Sequence, residues 1–164
     1  MFYIFGSILF IIVSMSEKNY DPQMHTAEHI LNQTMVRLFG CSRSKNCHIE
    51  RKKSKCDYLI SNEPSMEQIG EIERTVNEII SMNLAVTEEH IPQGEASAFL
   101  DLSKLPANTP DTIRVVRIGN YDACACIGPH VENTNQVGVF NIISHSYNDG
   151  VLRLRFKLNR PNQQ

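Results

Sequence analysis

A net charge of one sign is what this sequence most lacks. Its 16 lysines and arginines stand against 18 acids, for a formal charge of −2 over 164 residues. A globally basic nucleic-acid binder is thereby excluded, and any such role has to come from local clustering. Disulfide spacing is missing too. Cys41, Cys47, Cys56, Cys124 and Cys126 form an odd set without the framework of a small secreted scaffold, which fits reduced thiols in a cytoplasmic protein. The opening "MFYIFGSILFIIVSM" lacks the positively charged start of a secretory signal. Its apolar run, Phe2 to Val13, is too short to span a bilayer comfortably, so no stable membrane association is expected. Met15 and Met24 are alternative starts, and residues 1–20 are set aside as an ill-defined apolar extension. There is no internal repeat, no low-complexity tract and no regular βαβ alternation.

What is present is enough apolar sequence, 41%, for one globular domain with a real core, expected over residues 21–160 with 161–164 as a tail. The spacing predicts a helix over 24–39 stopped by Gly40, and a strand over 47–61 with a basic first half. Ser65 and Gln68 make a capping-box pattern opening a second helix, whose stripe Ile69, Ile72, Val76, Ile79 and Ile80 reads as core. "LAVTEEHI" reads as a strand, "QGEASAFLDL" as a short helix and "TIRVVRI" as a strand. Two further strands, "VGVFNIISHSY" and "VLRLRFKL", join at the hairpin signal Asn148-Asp149-Gly150. In the last, Leu152, Leu154, Phe156 and Leu158 alternate with Arg153, Arg155 and Lys157. The expected class is α+β with a largely antiparallel sheet packed by helices.

Charge is clustered even though it cancels. Arg37, Arg43, Lys45, Arg51, Lys52, Lys53 and Lys55 fall in one stretch with Glu50 as its one acid, and Arg153, Arg155, Lys157 and Arg160 form a second stretch. Together these hold 11 of the 16 basic residues. Either stretch alone is equally well a solvated face or a phosphate-contacting surface.

"HTAEH", His25 to His29, puts two imidazoles four apart. At about 100° per residue, His25, Glu28, His29 and Asn32 share one sector about 100° wide. Leu31, Met35 and Val36 are interleaved with them, which is unlike a solvated face. Buried polar groups must find partners, and two imidazoles at i and i+4 can share a tetrahedral metal; chance coincidence of two helical histidines is the competing reading. A matching pair comes late, in "CACIGPH". Cys126 and His130 flank a Gly-Pro turn able to aim a thiolate and an imidazole at one point. The two pairs together supply four nitrogen and sulfur donors, the number zinc takes.

"HTAEHILNQTMVRLFG" followed by "VVRIGNYDACACIGPHVENTNQVGVFNI" resembles the editing domain of alanyl- and threonyl-tRNA synthetases, which also occurs in free-standing tRNA-editing proteins. That family carries H-x-x-x-H on its first helix and later a C-x-G-T/P-H-V block, then N-T and a strand. The resemblance spans roughly residues 24–158. "CIGPHVENT" is closer to the threonyl form and "HTAEH" to the alanyl form. The resemblance implies that His25, His29, Cys126 and His130 hold Zn2+, as in alanyl-type members; some threonyl-type members use the same side chains without a metal. Two positions depart from the family: Glu28 replaces a commonly apolar residue, and Cys124 stands where an acid is usual. With no aminoacylation domain beside it, and no room for the extra N-terminal domain of larger editors, a free-standing editor is expected.

By this resemblance the substrate is a mischarged tRNA: Ser- or Gly-charged tRNA for alanine, or Ser-charged tRNA for threonine. The reaction is hydrolysis of the aminoacyl ester, an activated bond that asks only for positioned water and a stabilised oxyanion. Glu28 is the expected general base, with His25 and Cys126 also in the catalytic set. Thr26, Asn46 and His48 are expected around the amino-acid pocket. Arg51, Lys52, Lys53, Lys55, Arg153 and Arg155 are expected against the tRNA acceptor end. Two alternatives stand beside this: a non-catalytic module binding tRNA or a synthetase, and a zinc peptidase reading "HTAEH" as H-x-x-E-H with Glu28 as base. The peptidase needs a further ligand, typically an acid on a later helix, and leaves Cys126 and His130 unexplained.

Overall fold

The computed structural model describes residues 21–103, 105 and 107–160. The apolar extension 1–20 and the tail 161–164 lie outside the described residues. Helix α1 spans Pro22–Phe39; Asp21 caps it by accepting the Met24 N–H, and Gly40 ends it at φ 63°. The positive φ suits glycine, and the Gly40 N–H closes the last turn on the Val36 carbonyl. Strands β1 (Asn46–His48) and β2 (Ser54–Leu59) follow, then α2 (Met66–Ser81), β3 (Val86–Pro92), α3 (Gln93–Ala96), β4 (Thr112–Ile118), β5 (Asp122–Ala125), β6 (Val139–Asn148) and β7 (Val151–Asn159). The strands make two antiparallel sheets, one ordered β1-β2-β7-β6 and the other β3-β4-β5. The fold is α+β, as the sequence implies.

Three expectations needed correcting. The strand expected over 47–61 is two strands, β1 and β2, because the chain reverses through the basic run; the Ser54 hydroxyl closes that reversal by donating to the Glu50 carbonyl and accepting the Glu50 N–H. The helix over 93–102 is one turn long, since little apolar surface beyond Ala96 is buried there. Strand β5 was not anticipated. It is short and flanked by turns, and it forms because β4 offers it a paired edge.

The inner face of the four-stranded sheet carries Cys56, Tyr58, Leu152, Leu154 and Phe156 against α1 and α2, with Ile72 and Val76 opposite. Each such fully buried apolar side chain contributes about 1.5–3 kcal/mol. The capping box at Ser65 and Gln68 is formed, and the β6–β7 hairpin turns at Asp149 and Gly150, both with positive φ. What positions the site is that α1 is buried on two sides. Met24, Ala27 and Leu31 enter the core, while His25, His29 and Asn32 are also buried. An unpaired buried polar group costs about 1–3 kcal/mol, so this polar side must be met by partners.

Candidate metal centre

The partners come from the end of β5. Val115 pairs with Ala125, and the chain then leaves the sheet in a turn. Arg114 clamps that turn, its Nη1 donating to the carbonyls of Cys126 and Gly128 at 2.9 Å each while its Nε donates to Glu88 Oε2 at 2.7 Å. Glycine at 128 lets the turn approach His25 closely: a Cβ there would collide with the His25 Cε1, so the ring or the turn would have to shift. With the turn so held, Cys126 Sγ lies 3.4 Å from His25 Nε2 and 3.5 Å from His130 Nε2. One ligand atom from each of His25, His29, Cys126 and His130 lies within 4.8 Å of all the others.

The outward nitrogens fix the chemistry of the inward ones. His25 Nδ1 is 3.2 Å from the Pro129 carbonyl, which only accepts. His130 Nδ1 is 3.1 Å from the Thr26 hydroxyl, which already donates to the Pro22 carbonyl and must therefore accept from the ring. His29 Nδ1 is 3.5 Å from the Asp122 carboxylate. His25 and His130 are thus set with the proton on Nδ1 and the Nε2 lone pair toward the cluster, while His29 Nδ1, buried without a hydrogen-bond partner among the described residues, faces the Asp122 carboxylate as an ion pair. Three imidazoles converging on one sulfur make a donor set suited to a cation. A tetrahedral zinc with ordinary Zn–N and Zn–S lengths puts nitrogen and sulfur about 3.6 Å apart, close to the distances found. The residues fit a metal ion, and the outer oxygens are of the kind that hold ligand histidines in place.

In the metal-free chain the electrostatics favour a Cys126 thiolate beside a protonated His29, so a metal would have to displace the His29 Nε2 proton. Burial opposes ionisation of the Cys126 thiol, yet His130, His25 and His29 bring its pKa down to about 3. Burial likewise opposes charge on His29, but Asp122, Cys126 and Glu28 outweigh it and raise the pKa to about 10. Asp122 stays ionised despite its burial because His29 and Arg43 face it; Arg43 grips it with both terminal nitrogens, at 2.6 and 3.2 Å. Glu28 Oε2 stands 3.9 Å from Nε2 of both His25 and His29. Its Oε1 accepts from Asn32 Nδ2 at 2.5 Å, and Asn32 in turn accepts the Ser44 N–H.

Comparison with known proteins agrees with this geometry. The family described as "Threonyl and Alanyl tRNA synthetase second additional domain" matches residues 113–155, which carry the Cys126–His130 half of the site. An alanine–tRNA ligase of Pseudoalteromonas translucida is 33% identical over 123 residues, covering 74% of this chain and 14% of the ligase. That of Treponema denticola is 32% identical over 133 residues, covering 80% of this chain and 22% of the ligase. Over most of its length the chain is similar to this editing-like domain. It spans about a seventh to a fifth of the length of these ligases.

The other residues expected in this editing-like domain fall in three places. Thr26 is fully buried behind His130, its hydroxyl also accepting the Val131 N–H at 3.2 Å. Asn46 and His48 are exposed on β1, where Asn46 donates to Asp57 and His48 pairs with Glu50 at 2.7 Å. The two basic stretches meet on neighbouring strands, with Lys55 opposite Arg155 and Asp57 opposite Arg153. Arg153 is held by Asp57 through two bonds of 2.7 Å, and Arg51 reaches Asp21 at 3.1 Å, while Lys52 and Lys53 are exposed in the β1–β2 turn. Sequence reasoning missed Asp122, Arg43 and Arg114. The Arg43–Asp122 pair is separated by 79 residues and has no spacing signature. Gly128 was in view only as a turn residue. Gly128→Ala is expected to lower metal affinity about 10–100-fold by displacing His25, measurable by competition with a chromogenic chelator; unchanged affinity would mean that the turn yields freely.

Proposed function

We propose that this domain hydrolyses the ester joining a misattached amino acid to the terminal adenosine of a tRNA, as a deacylase working on Ser- or Gly-charged tRNA for alanine or Ser-charged tRNA for threonine. The observation that carries this reading is a carboxylate oxygen, Glu28 Oε2, 3.9 Å from the inward nitrogens of two candidate ligand histidines. A zinc ion held by His25, His29, Cys126 and His130 would supply a Lewis acid for a water or for the substrate's carbonyl and α-amino groups. Glu28 is positioned to take the proton of an attacking water on Oε2, because Asn32 and Cys47 hold the other oxygen. The Pro129 carbonyl and Thr26 orient the rings of His25 and His130, and Asp122 faces His29 from behind. A cleft of about 610 Å³ lined by His90, Thr112, Arg114, Cys126 and Ile127 abuts the thiolate and has room for the amino-acid side chain. Asp122, an acid brought to the histidine pair from a later strand, is turned to Arg43 and to the outer nitrogen of His29, which disfavours the peptidase reading.

The reading is tested by a deacylation panel of Ser-, Gly- and Ala-charged tRNAs for alanine and threonine. Release of serine or glycine with alanyl-tRNA for alanine spared is expected. Binding without hydrolysis anywhere in the panel would leave a non-catalytic tRNA-binding module. For the acceptor arm, Lys52→Ala with Lys53→Ala should weaken tRNA binding. The slope of log affinity against log salt should flatten by roughly one unit for each phosphate that is no longer neutralised. Arg153→Ala should change the slope less, since Asp57 already neutralises that guanidinium. An unchanged slope in the lysine variant would assign the β1–β2 turn to solvent.

A further inference from the structure

Glu28 has a second oxygen, and that oxygen faces sulfur. Cys47 on β1 and Cys56 on β2 are directly opposite in the antiparallel register. Cys47 Sγ is 3.5 Å from Glu28 Oε1, and one ligand atom from each of Glu28, Cys47 and Cys56 lies within 4.8 Å of the other two. Tyr58, two residues along the same inward face of β2, adds an independent observation. Its side chain is 1% exposed, and its hydroxyl, with no nitrogen or oxygen partner among the described residues, lies beside the sulfurs of Cys56 and Cys47 and near Glu28. The donors reaching Glu28 Oε1 are neutral, the Asn32 amide and the Cys47 thiol.

We propose that Glu28, Cys47 and Cys56, with the Tyr58 phenol as a fourth oxygen, form a second cation site for a thiophilic divalent metal. Two thiolates and a carboxylate select borderline-soft ions such as zinc and cadmium over hard ones. The tetrahedral sulfur–oxygen separation on zinc, about 3.5–3.6 Å, matches that between Cys47 and Glu28. Binding displaces the thiol protons to solvent and gives the buried phenol a charged partner. Glu28 then bridges two centres, Oε1 toward the thiolates and Oε2 toward the histidines. This ties β1 and β2 to α1 where α1 carries the histidine site. The inference needs no deacylase activity, since its readout is a metal count.

The full chain is loaded with Zn2+, dialysed and analysed for metal, alongside Cys47→Ser and His130→Ala. Two ions per chain are expected for the parent and about one for each variant, with the Cys47→Ser protein keeping the ion at the histidine centre. Cys47 is only half-buried, so its serine variant should fold; should it not, Cd2+ titration of the parent replaces it. There the second equivalent must add sulfur-to-cadmium charge-transfer absorption beyond that of a single thiolate. One ion in the parent with Cys47→Ser unchanged, or no added absorption, would overturn the proposal. So would a parent protein lighter by two hydrogens with Cys47 linked to Cys56, which would make the pair a disulfide. A failed deacylation panel would leave the metal count unaffected.

Discussion

Glu28→Gln is expected to slow deacylation by about 10²-fold or more while the histidine centre keeps its metal. The substitution preserves size and one hydrogen-bonding oxygen, so the Asn32 contact at 2.5 Å has a counterpart in the variant. What it removes is the basic oxygen 3.9 Å from His25 Nε2 and His29 Nε2. Metal at the histidine centre is best counted in a Cys47→Ser background, which takes the thiolate site out of the sum. If Glu28 merely steadied the ligand histidines, metal affinity there would instead fall about 10-fold or more. The tRNA affinity should stay near that of the parent, because Glu28 lies on α1 and not on the basic surface of β2 and β7. Full activity with full metal would remove Glu28 from proton transfer and leave the role to a histidine or to the substrate's own ribose hydroxyl.

The parts of this site that were legible in the sequence are those with a helical or turn period. His25, Glu28, His29 and Asn32 share a side of α1 because three- and four-residue spacings stack on a helix, and apolar residues interleaved with them announced burial. Cys126 and His130 were legible as a Gly-Pro turn. The alternation of Leu152, Leu154 and Phe156 with basic residues marked the inward face of β7 directly. What could not be read was anything set by pairing between distant strands. Asp122 backs His29 because β5 docks beside β4, and β5 itself is too short to have a period. Cys124 occupies the position where the family usually has an acid, while the acid behind the histidines of this chain stands two residues earlier. The strand expected over 47–61 failed for a related reason. A continuous polar-to-apolar run carries no mark of where the chain reverses, and only the register shows Cys47 opposite Cys56. The Cys47–Cys56 pair was invisible until then.

Cys126→Ala should abolish deacylation and lower metal affinity at the histidine centre by more than the about 10–100-fold that outer partners of ligands are worth. The thiolate is the single anionic donor among the four. Without metal, three imidazoles already bring its pKa down to about 3, so it is charged at neutral pH before any ion arrives. Removing it leaves three imidazoles facing one another without their anionic partner, and the nearby carboxylates Glu28 and Asp122 face the rings and not a common ligand point. His29 and His130 would both lose a partner that raises their pKa. Cys41→Ala is the matched control. That thiol donates to the Met35 carbonyl at 3.5 Å beyond the end of α1 and touches none of the four donors, so metal content and activity should both be retained. Elemental analysis and single-turnover deacylation of the two variants, prepared in parallel, decide the point. If the two substitutions had equal effects, the ligand set would be wrong. If Cys126→Ala lost metal but kept activity, the ion would be structural, and hydrolysis would rest on Glu28 and the histidines alone.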